Sequence, residues 1–272
     1  MAAETTGIIR LDFKNDGGQT YLASQYYKLP LQILPPHCQD DDGTAFIYLL
    51  NPSGGIMQGD RLSTEIHLRK QARVLATSPS CAKFYRMEDG FAYVKTLCTI
   101  GEEAVLEYLP EHNVPFSGSK TRLENLFYLK KSSTLLALEM LTAGRKTRGE
   151  SFQYGYFISR TKIYVEGELT VFDSMNLNPE NEDLRGVGLF EGHEAAASLY
   201  IYRAELPENA TAAANEAMQG QQSRGGVSQI GNIAIVRILA DDVRRLRETM
   251  SAVWKAVRPI LLGKEAVTLR KY

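Results

Sequence analysis

From residue 1 to residue 204, apolar and polar positions alternate in short bursts. Ile9, Leu11 and Phe13 form one set, Leu62, Thr64, Ile66 and Leu68 another, and Ile163, Val165, Leu169 and Val171 a third. A side-chain period of two belongs to a strand with one buried face. Turn signals punctuate the bursts at Asp16-Gly17-Gly18, Asp42-Gly43, Asp89-Gly90, Ile100-Gly101 and Glu166-Gly167. Many short strands at roughly ten-residue spacing predict a mainly β sandwich, barrel or coiled sheet rather than alternating βαβ units. No repeat of sustained period stands out, which is still compatible with an irregular β-solenoid.

The pattern changes over residues 205–272. Glu205 to Gln222 has a helix-forming composition, entered through Pro207 and ended by Gly220 or by the Gly225-Gly226 pair. Met218 is its only bulky apolar residue, so its face is shallow. Ile233 to Leu239 reads as a strand. A second helix starts at Asp241 or Asp242, either of which can cap it. Val243, Leu246, Met250, Val253, Val257 and Leu261 recur at three- and four-residue spacing and lay down one apolar stripe. Arg244, Arg245 and Arg247 fall on its solvated side, and Pro259 should kink or end the helix. The stripe serves a core or a partner, with Leu246, Met250 and Trp254 as candidate partner-binding residues. The expectation is a single domain over 1–272: an irregular β-helical or stacked-sheet architecture with many short strands and two helices near the C-terminus.

Composition narrows the function classes. The chain has 272 residues, 44% of them hydrophobic and 23% charged, ordinary for a globular protein with a sizeable core. Lys+Arg 31 against Asp+Glu 32 leaves a net charge of -1, with no general electrostatic reason to bind nucleic acid or an anionic membrane. No apolar run approaches the ~20 residues of a bilayer span. The opening M-A-A-E-T-T-G lacks the charged and apolar regions of a secretory signal, so the expected location is the cytoplasm. Cys38, Cys81 and Cys98 lack Cys-x-x-Cys spacing, which argues against a disulfide framework or structural zinc. His37, His67, His112 and His193 form neither His-x-x-His nor His-Glu-x-x-His, so a three-ligand catalytic metal centre is not expected. His37-Cys38 is the only adjacent soft pair. Ser53, Ser80 and Ser117 lie outside Gly-x-Ser-x-Gly, which leaves hydrolase chemistry a weak alternative.

The densest signal is L-N-P-S-G-G-I-M-Q-G-D, from Leu50 to Asp60. Asn51-Pro52 opens a turn, and Gly54, Gly55 and Gly59 allow positive φ or close backbone approach. The simplest reading is a hairpin connection. A phosphate loop would close on Gly-Lys-Ser/Thr, whereas Gly59 is followed by Asp60, so nucleotide binding here is rejected. The segment S-C-A-K-F-Y-R follows at Ser80 to Arg86. Four carboxylates, Asp60, Glu107, Glu139 and Glu150, sit in apolar or tightly turned settings, where a charge is costly unless paired or hydrated. They either form ion pairs with Lys83, Arg86, Arg145 or Arg148, or they line a hydrated passage in which oxygen ligands let a divalent cation move.

Taken in order, these segments resemble the UreD family of urease accessory proteins, called UreH in some organisms. Pro52, Gly54, Gly55, Gly59 and Asp60 match one family motif, and Ser80, Lys83, Tyr85 and Arg86 a second. Leu106, Glu107, Leu109, Pro110 and Phe116 match a third. Gly144 to Phe152 and the Trp254, Arg258-Pro259, Gly263 series extend the likeness over most of the chain. Gln58, Cys81-Ala82 and Tyr272 depart from the usual residues. The resemblance implies a nonenzymatic, largely β-helical scaffold that works with UreF and the GTPase UreG on apo-urease. It also implies an internal tunnel carrying Ni²⁺ as transient cargo, with no tightly bound cofactor. Asp60, Glu139 and Glu150 are then candidate stations for the ion. A prop that opens urease without conducting nickel is the alternative.

Overall fold

The structure, a computed structural model, describes residues 4–39 and 41–269; Tyr272 lies outside them. Strands β1 (Gly7–Asp16) and β2 (Gln19–Lys28) form an antiparallel hairpin across Gly17-Gly18, both at positive φ. Short β3 (Gln32–Ile33) and β4 (His37–Cys38) flank β5 (Ala45–Leu50). The chain then winds. It runs through β6 (Arg61–Leu68), β7 (Arg73–Thr77), β8 (Ala82–Phe84), β9 (Ala92–Ile100), β10 (Val105–Leu109), β11 (Asn113–Pro115), β12 (Lys120–Leu129), β13 (Thr134–Thr142) and β14 (Tyr156–Val165). Strands β5, β7, β10 and β13 pair in parallel in one sheet, and β1, β6, β9, β12 and β14 pair in parallel in the other. Each coil therefore contributes one strand to each face of a two-sheet solenoid.

The coils recur about every thirty residues, starting at Ala45, Arg73, Val105 and Thr134. Antiparallel strands close the ends. Strand β15 (Glu168–Leu177) returns on β14, and β16 (Ala195–Arg203) on β13. Helix α1 (Glu208–Gln219), β17 (Arg224–Ile230), β18 (Ile233–Ala240) and helix α2 (Val243–Leu262) complete the described chain. The sheets have seven and eleven strands. Their inner faces enclose one apolar core, and the outer face of the larger sheet packs on α1 and α2 to form a second.

Several details depart from the sequence expectations. Gly225-Gly226 lies within β17 rather than ending a helix, and a Cβ on Gly225 would sit 2.5 Å from the Arg237 carbonyl oxygen. Leu169 is exposed although Val171 is buried, because a bulge opposite Ile163 and Tyr164 shifts the register of β15. Pro259 sits inside α2 without ending it; Gly263, left-handed at φ 68, is the stop. Asp242 is the N-cap, its side chain accepting from the Arg245 N–H at 2.9 Å. No helix among the described residues is long and apolar enough to cross a membrane.

Candidate functional site

The motif segments occupy the same corner of successive coils. The Leu50–Asp60 loop does not join a hairpin; it carries the chain from β5 in one sheet to β6 in the other. Strand β8 makes the corresponding passage one coil later and β11 the next, and the Gly144–Phe152 segment belongs to the fourth. The four stack. Ile56 N–H donates to Lys83 O at 2.7 Å and Tyr85 N–H to Ile56 O at 2.9 Å. Strand β8 pairs in parallel with β11, and Phe116 N–H donates to Phe84 O at 2.9 Å. Ser117 N–H then donates to the Glu150 carboxylate at 3.2 Å.

Side chains bind the same layers. Tyr85 OH donates to Gly54 O at 3.1 Å, and its ring lies 4.9 Å from that of Phe116. The Arg145 guanidinium sits over Phe116, 4.0 Å from the ring centre, and pairs with Glu150. Gly55 is where the packing is closest: a Cβ there would meet Tyr85 Cε2 at 2.3 Å. Gly59 has positive φ, at 81°; Gly54 and Gly55 do not. Pro52, Lys83 and Arg86 are exposed around this corner.

Behind the corner an internal cavity of about 200 Å³ runs between the sheets, from Gly54, Cys81, Lys83 and Glu111 inward to Asn125 and Glu139. Part of its polar lining, Thr64, Thr96 and Asn125, comes from one rung of the seven-stranded sheet. The pairing register aligns Thr64, Thr96, Asn125, Thr161 and Asp173 across β6, β9, β12, β14 and β15. At ~4.8 Å per strand this row is about 19 Å long. Tyrosines of the opposite sheet reach across to it: Tyr108 OH lies 3.3 Å from Thr96 Oγ1, and Tyr200 OH donates to Asp173 at 2.6 Å. Burial pushes the Tyr108 phenol up to about 12, so it stays protonated. The cavity ends at Asn125 and Glu139, and the Asp173–Arg237 ion pair lies at the far end of the row.

Glu139 faces this space. Asn125 donates to its Oε2 at 3.2 Å, while Oε1 has no hydrogen-bond partner and the Ser159 hydroxyl lies close but outside hydrogen-bond geometry. Burial raises its pKa, and the nearby Asp173 charge adds to the rise. Glu150 is different. Its carboxylate is held by Arg145 and the Ser117 N–H, which lower its pKa, and it lies outside the cavity. Asp60 also lies outside, its Oδ2 accepting from the Met57 N–H at 2.8 Å to brace its own loop. The three candidate metal residues thus do not converge, and no group of three or more His, Cys, Asp or Glu side chains among the described residues is arranged to hold a metal ion. Glu107 pairs with Arg258 and Trp254 of α2, outside the set Lys83, Arg86, Arg145 and Arg148.

The candidate partner-binding residues Leu246, Met250 and Trp254 are buried at 0%, 4% and 6% exposure in the core beneath α2. The apolar stripe is consumed inside the chain, and α2 turns Arg244, Arg247, Glu248 and Lys255 outward. Sequence reasoning missed Asn125, Thr96 and Tyr108 as site residues. Polar residues at inward positions of otherwise apolar alternation were the available signal, visible in L-E-N-L-F around Asn125.

Comparison with known proteins supplies the family. A profile described as UreD urease accessory protein matches residues 5–271. The urease accessory protein UreD of Klebsiella aerogenes is 32% identical, over 96% of this chain and 93% of its own length. That of Actinomyces naeslundii is 30% identical over 98% and 99%, and that of Bacillus cereus 28% identical over 98% of each. The motifs that these coils stack at one corner, and a match that spans nearly the whole chain, show that the protein belongs to the UreD family of urease accessory proteins.

Proposed function

We propose that the protein is a nonenzymatic scaffold that docks on apo-urease with UreF and UreG in the cytoplasm and lets Ni²⁺ pass through its interior to the urease active site. The observation that carries this reading is Glu139: a carboxylate that lines the cavity between apolar sheets, held on one oxygen by Asn125 and Thr161 and with no Lys or Arg paired to it among the described residues. A carboxylate kept between apolar sheets without a countercharge is costly, and a passing cation would supply one. Hydroxyl, amide and carboxylate oxygens are hard donors, which hold Ni²⁺ less firmly than imidazole or thiolate and so favour transfer over storage. GTP chemistry belongs to UreG, consistent with Asp60 standing where a phosphate loop needs Lys.

Glu139→Gln tests the passage. The variant keeps the shape of the side chain and removes the charge, so it should fold and assemble with UreF, UreG and apo-urease. Urease matured with it should contain severalfold less nickel, measured by metal analysis of the purified enzyme, with activity falling in parallel. Normal nickel content with intact complexes would leave only the role of a prop.

A further inference from the structure

We propose that Cys81 and His112 form a two-donor binding station, at the mouth of the internal cavity, for a borderline divalent transition-metal cation of the Ni²⁺ or Co²⁺ kind. Cys81 immediately precedes β8 and His112 immediately precedes β11, and Ala82 N–H donates to His112 O at 3.0 Å. The parallel register of β8 and β11 pairs Ala82 with Asn113, so neighbouring coils set Cys81 and His112 side by side. Cys81 lines the cavity and is partly exposed.

The ring is held from behind. His112 Nδ1 lies 3.2 Å from Glu111 Oε2, and that carboxylate is 7% exposed and 3.4 Å from Arg247 Nε. Glu111 is anchored in turn by its N–H, which donates to Ser78 Oγ at 2.8 Å. A carboxylate orienting an imidazole in this way is the usual support for a metal-binding histidine. Farther along the same cavity Glu139 lines the wall with no Lys or Arg paired to it among the described residues, so a cation leaving the mouth meets an uncompensated carboxylate. Because no three-donor cluster stands ready among the described residues, water would complete the coordination and binding would stay exchangeable.

The other Cys-His pair lacks this geometry. His37 and Cys38 are consecutive on β4 and point to opposite faces, with the His37 ring stacked 5.9 Å from Tyr48 and bonded to Gln39. The physiological cargo rests on the nickel-passage reading; the binding itself does not.

The full-length Cys38→Ser chain should be titrated anaerobically with Ni²⁺ and with Co²⁺ while thiolate-to-metal charge transfer is followed by absorption. Cys98 is fully buried and cannot contribute. A saturable band is expected, abolished by Cys81→Ser and weakened at least tenfold in affinity by His112→Ala. The chain with all its own residues gives a check that needs no substitution: saturating Ni²⁺ should protect Cys81 from alkylation, read by peptide mass spectrometry. No band, a band that survives Cys81→Ser, or unprotected Cys81 would overturn the station. If the band behaves as expected but the Glu139→Gln protein loads urease normally, the passage reading fails and the binding site stands.

Discussion

At Gly55 a single hydrogen atom keeps the motif loop clear of Tyr85 and of the Lys83 carbonyl oxygen. Gly55→Ala should therefore destabilise the protein by about 1–3 kcal/mol through overpacking, measured by urea unfolding. Gly54→Ala should be close to neutral, because its Cβ would find only the Tyr85 hydroxyl oxygen at 3.7 Å. Two of the motif glycines thus serve separate needs, close approach at Gly55 and positive φ at Gly59, while Gly54 contributes a carbonyl that any residue would supply. Glu107 poses a different problem, since it compensates an Arg258 guanidinium that is 1% exposed. Glu107→Ala should cost about 3–5 kcal/mol, the penalty for breaking a buried pair by removing one partner. Glu150 offers a pH test. Its pKa is depressed in the folded protein, first by Arg145, so its contribution to stability is present above the unfolded value of 4.5 and is lost as pH falls through the folded value. The stability gap between Glu150→Gln and the unaltered chain should accordingly shrink on acidification; a gap independent of pH would remove the ion pair from the account.

Elements read from periodicity and elements built from stacking differ in how visible they were. Helix α2 was legible almost residue by residue. Its stripe, Leu246, Met250, Val253, Val257 and Leu261, is buried, and Asp242 caps it. Asp242→Ala should lower stability by about 1 kcal/mol, and Trp254→Ala by about 3–5 kcal/mol, as thermal unfolding would record. What the stripe packs against was not legible, because one amphipathic face suits a core or a partner equally well. The strands were legible where alternation was strict, as in β1, but the solenoid was not. Its coils start at Ala45, Arg73, Val105 and Thr134, a spacing too uneven to register as a repeat, with no side-chain motif shared between corners. Stacking requires only that backbones align, so one corner need not repeat the side chains of the next. The carboxylates divide between the two expectations, Glu150 pairing with Arg145 and Glu139 lining the cavity, for a related reason. Glu139 and Glu107 lie on adjacent parallel strands but face opposite sides of one sheet, and only tertiary structure assigns one to the cavity and the other to α2.

Across the whole molecule, two sheets enclose a largely apolar core crossed by a row of polar side chains. Val at Thr96 and Phe at Tyr108 would fill nearly the same volume, so packing alone does not call for their hydroxyls. Thr96 and Tyr108 allow this to be tested, because their hydroxyls face each other and both lie on the cavity wall. The double change Thr96→Val with Tyr108→Phe removes both partners of one hydrogen bond while keeping their shapes, a replacement that is near neutral or stabilising in general. The protein should then unfold within about 1 kcal/mol of the original and still join its complexes. Its interior would nevertheless offer a cation a dry apolar stretch between the corner and Glu139, where desolvation of the ion is no longer offset. Urease matured by the double variant should carry less nickel despite unimpaired folding and assembly. If nickel content is normal, the rung belongs to the fold alone; if stability falls by several kcal/mol, the hydroxyls hold the sheets together and the cavity is incidental.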